Sequence, residues 1–447
     1  MKGVLLVKMD VRLAVVALAS ALEVGFHETK QLYQITCNSL RKRGVQIVDT
    51  GIVMCDPQTM LQAKQQLQAQ PFDALLVCVG TWSEDHHLLD LLGYYKKPVI
   101  LHAYPGIETG SLCGVQQIGA VFRDIGITDF DFVFEEAGSD RAAEQIMSRL
   151  QVIGLCDMMR HTRFGAIGGR CDGMTETSYD EFALLQTIGA RVVLIDETEL
   201  LRTVQQVDRQ QAKTVCDGLK KRFSRVLSTD AQLLESAAYY LAMKALCVRY
   251  DLSGLTVKCY TKYMGKVCLA GALLAEEGVV CSCEGDLNNV IMMKILQLLS
   301  GASVNCTDIL QPEPQKNTIL FAHCGNTGFD LANSEDEVEL CPVRIVNQGV
   351  CGRFVCRPGF VTAADLVGHG GTLRMSVMTG EAVACGMEFP GTPMKIKMKR
   401  SVLDLCRDVT MKGCGHHWMI CYGDYTKPLA EFCRRTGLGF IDLDHIS

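Results

Sequence analysis

The chain has 447 residues, of which 44 are basic and 50 acidic, and its formal net charge is -6. Because these charges are intermixed, no basic stripe predicts a nucleic-acid partner, and we expect small-molecule partners instead. A chain of this length is too long for one hydrophobic core, so two or three domains are expected.

The cysteine content and the first residues both bear on where the protein resides. The 22 cysteines are scattered along the chain without the spacing of a disulfide framework, which favours reduced thiols packed as small apolar side chains. The apolar segment at the start ends in small residues at 19–21, as a signal peptide would, but Lys8, Asp10 and Arg12 interrupt it. No apolar run approaches the ~20 residues of a membrane-spanning helix, so we predict a cytoplasmic protein without a membrane partner.

The first part of the chain alternates helix-like and strand-like segments. Amphipathic spacing and short apolar runs follow one another in TKQLYQITCNSLRKRG, VQIVDTGIV, PQTMLQAKQQLQAQ, ALLVCVG and PVILHAYP. Short apolar strands separated by amphipathic helices are typical of a parallel sheet with helices on its faces. We therefore predict an N-terminal α/β domain over residues 1–160.

A second α/β domain is predicted over residues 161–315. Its main segments are ARVVLIDETEL, DAQLLESAAYYLAMKALCVRY, GLTVKCY, VCLAGALLAEEG and VVCSCEGD. The last of them places Glu284 at the carboxyl end of a strand, which is the edge where open parallel sheets bind ligands. The glycine-rich segment GAIGGRCDGM, residues 165–174, has neither the GxGxxG order nor GK[ST], so we interpret it as a tight turn and not as a phosphate loop.

Residues 316–447 are predicted to form a mainly β, barrel-like C-terminal domain. The segments NTILFAHCG, EVELCPVRIV, GRFVCRPGFVTAADLV, GTLRMSVMTGEAVAC and PMKIKMKRS are short and punctuated by Gly and Pro, as in antiparallel barrels and sandwiches. The predicted fold class is α/β, with two parallel-sheet domains followed by this β-rich domain.

One helix and the acids beside it suggest chemistry. Residues 287–299 are apolar on nearly all sides, so this helix is expected to be buried between layers. Glu284 and Asp286 directly precede this helix, and its N-terminal end carries them to a protected interior, where an isolated charge is very costly. Either these carboxylates are solvated turn residues, or they have a partner such as a divalent metal ion.

Further candidate ligands follow in the chain. Asp308 comes just after the helix, His323 lies in ILFAHCG, and His416 and His417 form a pair in KGCGHHWMICYG. Two carboxylates with imidazole suit Mn²⁺, Mg²⁺, Fe²⁺ or Co²⁺ better than a structural zinc ion.

Other interpretations of these residues stay open. A histidine in a strand is often a hydrogen-bonded core residue, and an acid after a strand is often a helix cap. A zinc–thiolate site is also conceivable, although the CxC spacing is a weak signal for zinc. The thiols nearest the proposed ligands in sequence are Cys281, Cys283, Cys306 and Cys414.

Three blocks of the sequence resemble the superfamily of L-fucose isomerase and L-arabinose isomerase. They are EGDLNNVIMMKILQLLSG with the following CTD, then LFAHCG, then GCGHHWMICYGDYTKPLAEFCRRTGLGFIDLD. The resemblance extends to the order of the domains, but the strong motifs occupy only the second half of the chain. It implies an aldose–ketose isomerase of carbohydrate metabolism that acts through an enediol.

The resemblance also implies roles for the candidate residues. Glu284 and Asp308 would bind a divalent metal, usually Mn²⁺, and serve as the acid–base pair. His417 would be the imidazole ligand, and His323 resembles the extra metal-binding histidine of arabinose isomerases. His416 would assist sugar binding or ring opening. The aspartate at 308 favours the fucose type and the histidine pair favours the arabinose type, so the sugar stays open.

Substrate contacts and assembly are implied in the same way. Trp82, Gln116 and Gln117 lie in segments similar to those that reach the pocket of a neighbouring subunit, although Trp82 is equally a candidate packing aromatic. Arg170 is a further candidate sugar contact. The resemblance implies a homo-oligomer, either a trimer or a hexamer. Alternative functions are an epimerase, an isomerase of a modified sugar, and a sugar-binding protein that lacks catalysis.

Overall fold

The computed structural model describes residues 11–106, 110–368 and 370–445. The chain forms two compact units that divide after Cys156. Among the helices in these described residues, none is long and apolar enough to cross a membrane.

The first unit is a parallel sheet covered by helices. Its strands are β1 (Arg12–Leu18), β2 (Gln46–Met54), β3 (Ala74–Val79), β4 (Val99–Ala103) and β5 (Phe130–Phe134). Its helices are α1 (Phe26–Lys42), α2 (Pro57–Gln68), α3 (His86–Leu92), α4 (Ser111–Asp124) and α5 (Asp140–Arg160), the last of which continues past residue 156. The strand order is β2-β1-β3-β4-β5, and every neighbouring pair is parallel.

The local sequence explains the burial of β1 and the start of α2. Residues 13–18 of β1 are all buried, because a central strand of a parallel sheet is covered on both faces. The apolar segment that resembles a signal peptide therefore supplies a core strand. Helix α2 begins at a capping box in which Asp56 accepts the Thr59 backbone N–H at 2.7 Å, with Pro57 at the first helical position.

The second unit combines a parallel sheet, a small mixed sheet and a barrel. Its strands are β6 (Arg163–Ile167), β7 (Arg191–Ile195), β8 (Arg225–Val226), β9 (Gly254–Val257), β10 (Val280–Ser282), β11 (Asn305–Glu313), β12 (Thr318–Ala322), β13 (Glu339–Val343), β14 (Gln348–Arg353), β15 (Gly359–Val367), β16 (Arg374–Val383), β17 (Met394–Met398), β18 (His417–Tyr422) and β19 (Gly439–Asp442). Its helices are α6 (Glu181–Thr187), α7 (Glu197–Gln206), α8 (Arg209–Arg222), α9 (Asp230–Tyr250), α10 (Cys268–Glu276), α11 (Leu287–Ser300), α12 (Val402–Met411) and α13 (Thr426–Thr436).

The parallel sheet has the order β10-β9-β6-β7. A second sheet runs β15-β18-β11-β12-β17-β16-β19, and because β15 also pairs with β16, it closes into an antiparallel barrel with β19 added in parallel outside the ring. Strands β13 and β14 lie outside the barrel, where β13 pairs with β14 on one side and with β8 on the other. The predicted fold class, parallel-sheet α/β structure followed by a barrel, is confirmed.

Helix α11 lies between the parallel sheet and the barrel, where it packs against β9, β10, β15 and β18. It is buried on nearly all sides, as its apolar sequence predicts. The buried amide of Asn289 joins it to the barrel by accepting the Leu366 backbone N–H at 3.3 Å. The barrel begins at β11, before residue 315, and all described residues from 157 onward form one unit. The domain boundaries at 160 and 315 stay predictions.

Candidate metal centre

The turn between β10 and α11 presents Glu284 at the carboxyl edge of the parallel sheet. Glu284 has a φ of 64° and Gly285 a φ of 74°, so the chain makes a left-handed turn that glutamate rarely adopts. The Glu284 N–H donates to the Cys259 sulfur at 3.3 Å. A Cβ at Gly285 would lie 2.3 Å from the Gly169 carbonyl oxygen, so only glycine fits there. The surroundings hold a strained glutamate in place, which is typical of a functional site.

The barrel supplies the other candidate ligands from three adjacent strands. Asp308 on β11 pairs directly with His417 on β18. On its other side Asp308 pairs with Ala322 on β12, and His323 follows Ala322. Antiparallel pairing of β12, β11 and β18 thus places Asp308, His323 and His417 side by side, close to Glu284.

The side-chain atoms converge without bonding to one another. His417 Nε2 lies 3.4 Å from Glu284 Oε2 and 3.9 Å from Asp308 Oδ1. His323 Nε2 lies 4.0 Å from Glu284 Oε1 and 3.9 Å from Asp308 Oδ2. Both His417 Nε2 and Asp308 Oδ1 are buried and have no hydrogen-bond partner among the described residues.

These distances fit a shared cation. Two ligand atoms that each lie about 2.1 Å from one ion are at most about 4.2 Å apart, and all four separations fall within that limit. Buried polar atoms without partners are costly, and a cation bound among them would satisfy them. Glu284, His323 and His417 form one group able to hold a metal, and Asp308, His416 and His417 form another.

Asp286 orients the His417 ring by a hydrogen bond to its Nδ1. Its Oδ2 accepts hydrogen bonds from His417 Nδ1 at 2.8 Å and from the Asn289 side-chain amide at 2.7 Å. Its Oδ1 accepts the Asn289 backbone N–H at 3.1 Å, and this bond caps α11. Asp286 and the His417 side chain are both almost completely buried. With Nδ1 holding a proton for Asp286, Nε2 is left free to bind a metal, as in carboxylate–histidine–metal triads.

His416 lies at the more open side of the cluster. Its Nδ1 bonds to the Glu176 carboxylate, and its Nε2 lies 3.5 Å from Glu284 Oε2. Its ring packs against that of His417, with centroids 3.9 Å apart. Glu176 and Glu284 raise the pKa of His416 to about 9, because both favour the protonated ring.

Burial and neighbouring charges shift the pKa values of Glu284, His417 and His323. Burial raises the pKa of Glu284, but the His416, His417 and His323 imidazoles outweigh burial and hold this pKa well below its ordinary value. Burial lowers the pKa of His417, but Asp286 and Glu284 raise it well above its ordinary value. For His323 burial dominates, and its pKa is lowered.

The four remaining candidates are the residues predicted to contact the sugar. Arg170 lies in the glycine-rich turn next to the Glu284 turn, and its guanidinium donates to the Cys171 carbonyl at 2.9 Å. Trp82 and Gln117 lie in the first unit, where the indole N–H donates to the Gln117 amide oxygen at 2.8 Å. Gln116 is exposed on α4. The roles of these four residues in binding sugar stay predictions.

The structure bears on the predictions for the glycine-rich segment and for a zinc–thiolate site. The glycine-rich segment forms a turn after β6, with left-handed φ values at Gly168, Gly169 and Gly173, as predicted. Neither group of potential metal ligands found in the described part of the chain contains a cysteine, so the zinc–thiolate alternative gains no support.

Sequence reasoning missed Glu176, and it named Asp286 without predicting its contact with His417. Asp286 has a sequence signal, since a carboxylate directly before a fully apolar helix is a cap that must be buried. Glu176 has no such signal, because it lies in a polar loop that meets His416 across 240 positions of sequence.

Comparison with known proteins supports an isomerase. No model of a known protein family matches the chain. The chain is 23% identical over 427 residues to a protein named sulfoquinovose isomerase from Alkalicoccus urumqiensis, covering 91% of this chain and 96% of the relative. It is 22% identical over 402 residues to a protein of the same name from Priestia aryabhattai, covering 86% of this chain and 90% of the relative. A third protein of that name, from Clostridium sp. (strain MSTE9), is 23% identical and covers 76% of this chain and 77% of the relative. At the level of reaction class, these relatives confirm the prediction of an aldose–ketose isomerase.

Proposed function

We propose that the protein is a metal-dependent aldose–ketose isomerase that acts on a modified sugar through an enediol. The observation that carries the proposal is the convergence of Glu284, Asp308, His323 and His417, in which two buried polar atoms have no partner within the described part of the chain. Two carboxylates and imidazole suit Mn²⁺, with Mg²⁺, Co²⁺ or Fe²⁺ as alternatives.

The residues have separable roles in this proposal. When bound, a divalent ion supplies Lewis acidity that stabilises negative charge on the two sugar oxygens. Glu284 and Asp308 move the proton between the adjacent carbons and exchange the role of base with the direction of reaction. His417 and His323 complete the ligand set, and His416, on the open side, faces the sugar and assists ring opening.

The names of the relatives favour a particular class of sugar. Because three proteins similar to most of this chain are named sulfoquinovose isomerase, a sulfonated aldose is our first candidate substrate. A sugar of the L-fucose or L-arabinose type is the alternative. The full set of acids and imidazoles argues against a sugar-binding protein without catalysis, which has no need of an acid–base pair.

Assembly is part of the proposal. We propose a homo-oligomer, trimer or hexamer, in which Trp82, Gln116 and Gln117 contact the sugar bound in a neighbouring subunit. Arg170 would contact sugar bound in its own subunit.

A panel of sugars tests the function. Purified protein is assayed for ketose formation from sulfoquinovose, quinovose, L-fucose, D-arabinose and L-arabinose, with Mn²⁺ and after chelation. We expect turnover of sulfoquinovose that chelation abolishes and Mn²⁺ restores. Quinovose, which lacks the sulfonate, is the matched control for recognition of the anion. Turnover that survives complete removal of metal would contradict the metal-dependent mechanism.

His417→Ala tests the proposed ligand set. The variant removes an imidazole whose Nε2 faces both carboxylates, so we expect metal retention to fall by at least about 100-fold, while the far-ultraviolet circular dichroism stays that of the folded protein. Metal content is measured by elemental analysis after dialysis. His161→Ala is the control, because that side chain is 79% exposed, and it should retain the metal. Unchanged metal content in His417→Ala would rule out the assigned role.

A further inference from the structure

Glu176 makes two bonds to one residue of the site. The same carboxylate oxygen, Oε1, accepts the backbone N–H of His416 at 3.3 Å and bonds to ring Nδ1 of the same histidine. An ordinary surface ion pair joins only the flexible ends of two side chains and contributes little. Here one oxygen is bound to both the backbone and the ring, so it restrains the position of the histidine and the rotation of its ring.

The segment that carries Glu176 is itself anchored. It forms a short 3-10 turn, Thr175–Thr177, in which Thr177 is buried and its hydroxyl donates to the Met174 carbonyl at 2.9 Å. The next residue, Ser178, accepts at its carbonyl from the Asn288 side chain of α11 at 3.2 Å. The turn that carries Glu176 is therefore tied to the helix that begins at the metal centre.

A second anchor joins the same segment to the barrel. Asp180 caps α6 by accepting the Ala183 N–H at 3.0 Å, and its other oxygen accepts the Gly370 N–H at 3.0 Å. Glu176 thus sits on a segment held from two sides, as a preorganised contact requires.

His416 depends on this contact for its orientation. Its side chain is 41% exposed, and its opposite nitrogen, Nε2, faces Glu284 Oε2 at 3.5 Å. A hydrogen bond at one ring nitrogen decides how the other is presented, as in catalytic histidines whose second nitrogen bonds to a carboxylate. Without Glu176, an imidazole this exposed could turn about its side-chain torsions and move Nε2 away from Glu284.

The barrel holds the preceding residue from the other side. Gly415 donates its N–H at 2.5 Å to Asp365, a fully buried carboxylate on β15 that also accepts the Ser376 N–H at 3.2 Å. The backbone that enters the histidine pair is therefore fixed by Asp365, whereas the ring of His416 is fixed by Glu176.

We propose that Glu176 is a positioning residue that orients the His416 imidazole, so that Nε2 faces Glu284 and the reacting oxygen of the sugar. This inference rests on the proposed isomerase function. In this role Glu176 touches neither the sugar nor the metal, and it acts only through His416.

A double-mutant cycle tests whether Glu176 acts through His416. Glu176→Ala is expected to lower kcat about 10- to 100-fold with a smaller change in KM, and His416→Ala to lower kcat about 100-fold. Adding Glu176→Ala to His416→Ala should change kcat by less than about threefold, because the group through which it acts is gone. Glu176→Gln, which keeps an acceptor oxygen, should recover most of the activity. If kcat of the double variant fell by the product of the two single losses, the proposal would be overturned.

Two measurements do not need turnover. Metal content is expected to be the same in Glu176→Ala and the wild type, and crystal structures of the two are expected to differ in the ring orientation of His416. A His416 ring that keeps its orientation in Glu176→Ala would overturn the positioning role, whatever the activity. Absence of turnover by the wild type on every sugar would instead count against the proposed function. Glu181→Ala, an exposed acid at the start of α6, is the control and should leave kcat unchanged.

Discussion

Glu284→Gln is expected to lower the turnover of the sugar substrate at least about 1,000-fold while leaving the fold intact. The substitution keeps the size of the side chain but removes a charge that is both a candidate metal ligand and half of the acid–base pair. The left-handed backbone at this position is equally strained for glutamine, so we expect little loss of stability from the turn. The measurements are kcat with saturating Mn²⁺ and the midpoint of thermal unfolding.

Two companion variants make this result interpretable. Asp308→Asn should behave in the same way, because Asp308 is the other carboxylate that faces Nε2 of His417. Glu144→Gln removes an exposed glutamate on α5 and should be indistinguishable from the wild type. Normal turnover in either Glu284→Gln or Asp308→Asn would refute the mechanism of two carboxylates.

Asp286→Ala is expected to weaken both metal binding and the fold. Loss of the carboxylate leaves Nδ1 of the buried His417 ring without a partner, and we expect metal affinity to fall about 10- to 100-fold. The same change removes the cap of α11, which costs about 1 kcal/mol, and an unpaired buried donor adds about 1–3 kcal/mol. Metal titration and denaturant unfolding of the metal-free protein measure the two effects separately.

Control substitutions separate the cap from the histidine contact. Asp208 caps α8 by accepting the Gln210 N–H at 3.1 Å, away from the centre, so Asp208→Ala should lose stability of the size of a cap without losing metal affinity. Asp286→Asn keeps a good capping residue but loses the charge, so it should retain most of the stability and still bind metal less tightly. Equal metal affinity in Asp286→Ala and the wild type would contradict the orienting role.

The layers of the fold could be predicted from the sequence because they follow from local patterns. The apolar run in α11 leaves no polar face for solvent, so a buried helix is the only stable placement. Parallel strands such as β3 are apolar on both faces and therefore need helices on both sides. The patterns did not show that β13 and β14 lie outside the barrel, where β13 pairs with β14 and with β8.

The candidate site was only partly predictable. Glu284 and Asp308 flank a recognisable helix, and the adjacent histidines His416 and His417 stand out in a glycine-rich segment. What brought their side chains together is the register Asp308↔His417 and Asp308↔Ala322, which depends on pairing between strands remote in sequence. Alternating residues along a strand show which face a side chain occupies, but not which strand lies beside it.

The amino-acid sequence by itself determined the class of fold, the buried helix α11 and the identity of the candidate ligands, because each depends on residue type and short-range spacing. The tertiary structure alone decided that Asp286 orients His417 and that Glu176 holds His416. Asp286 makes one hydrogen bond to His417 and Glu176 makes two to His416, and each contact joins segments remote in sequence. Their existence depends on barrel closure and on the packing of α11, and these are cooperative properties of the whole chain that no local pattern encodes.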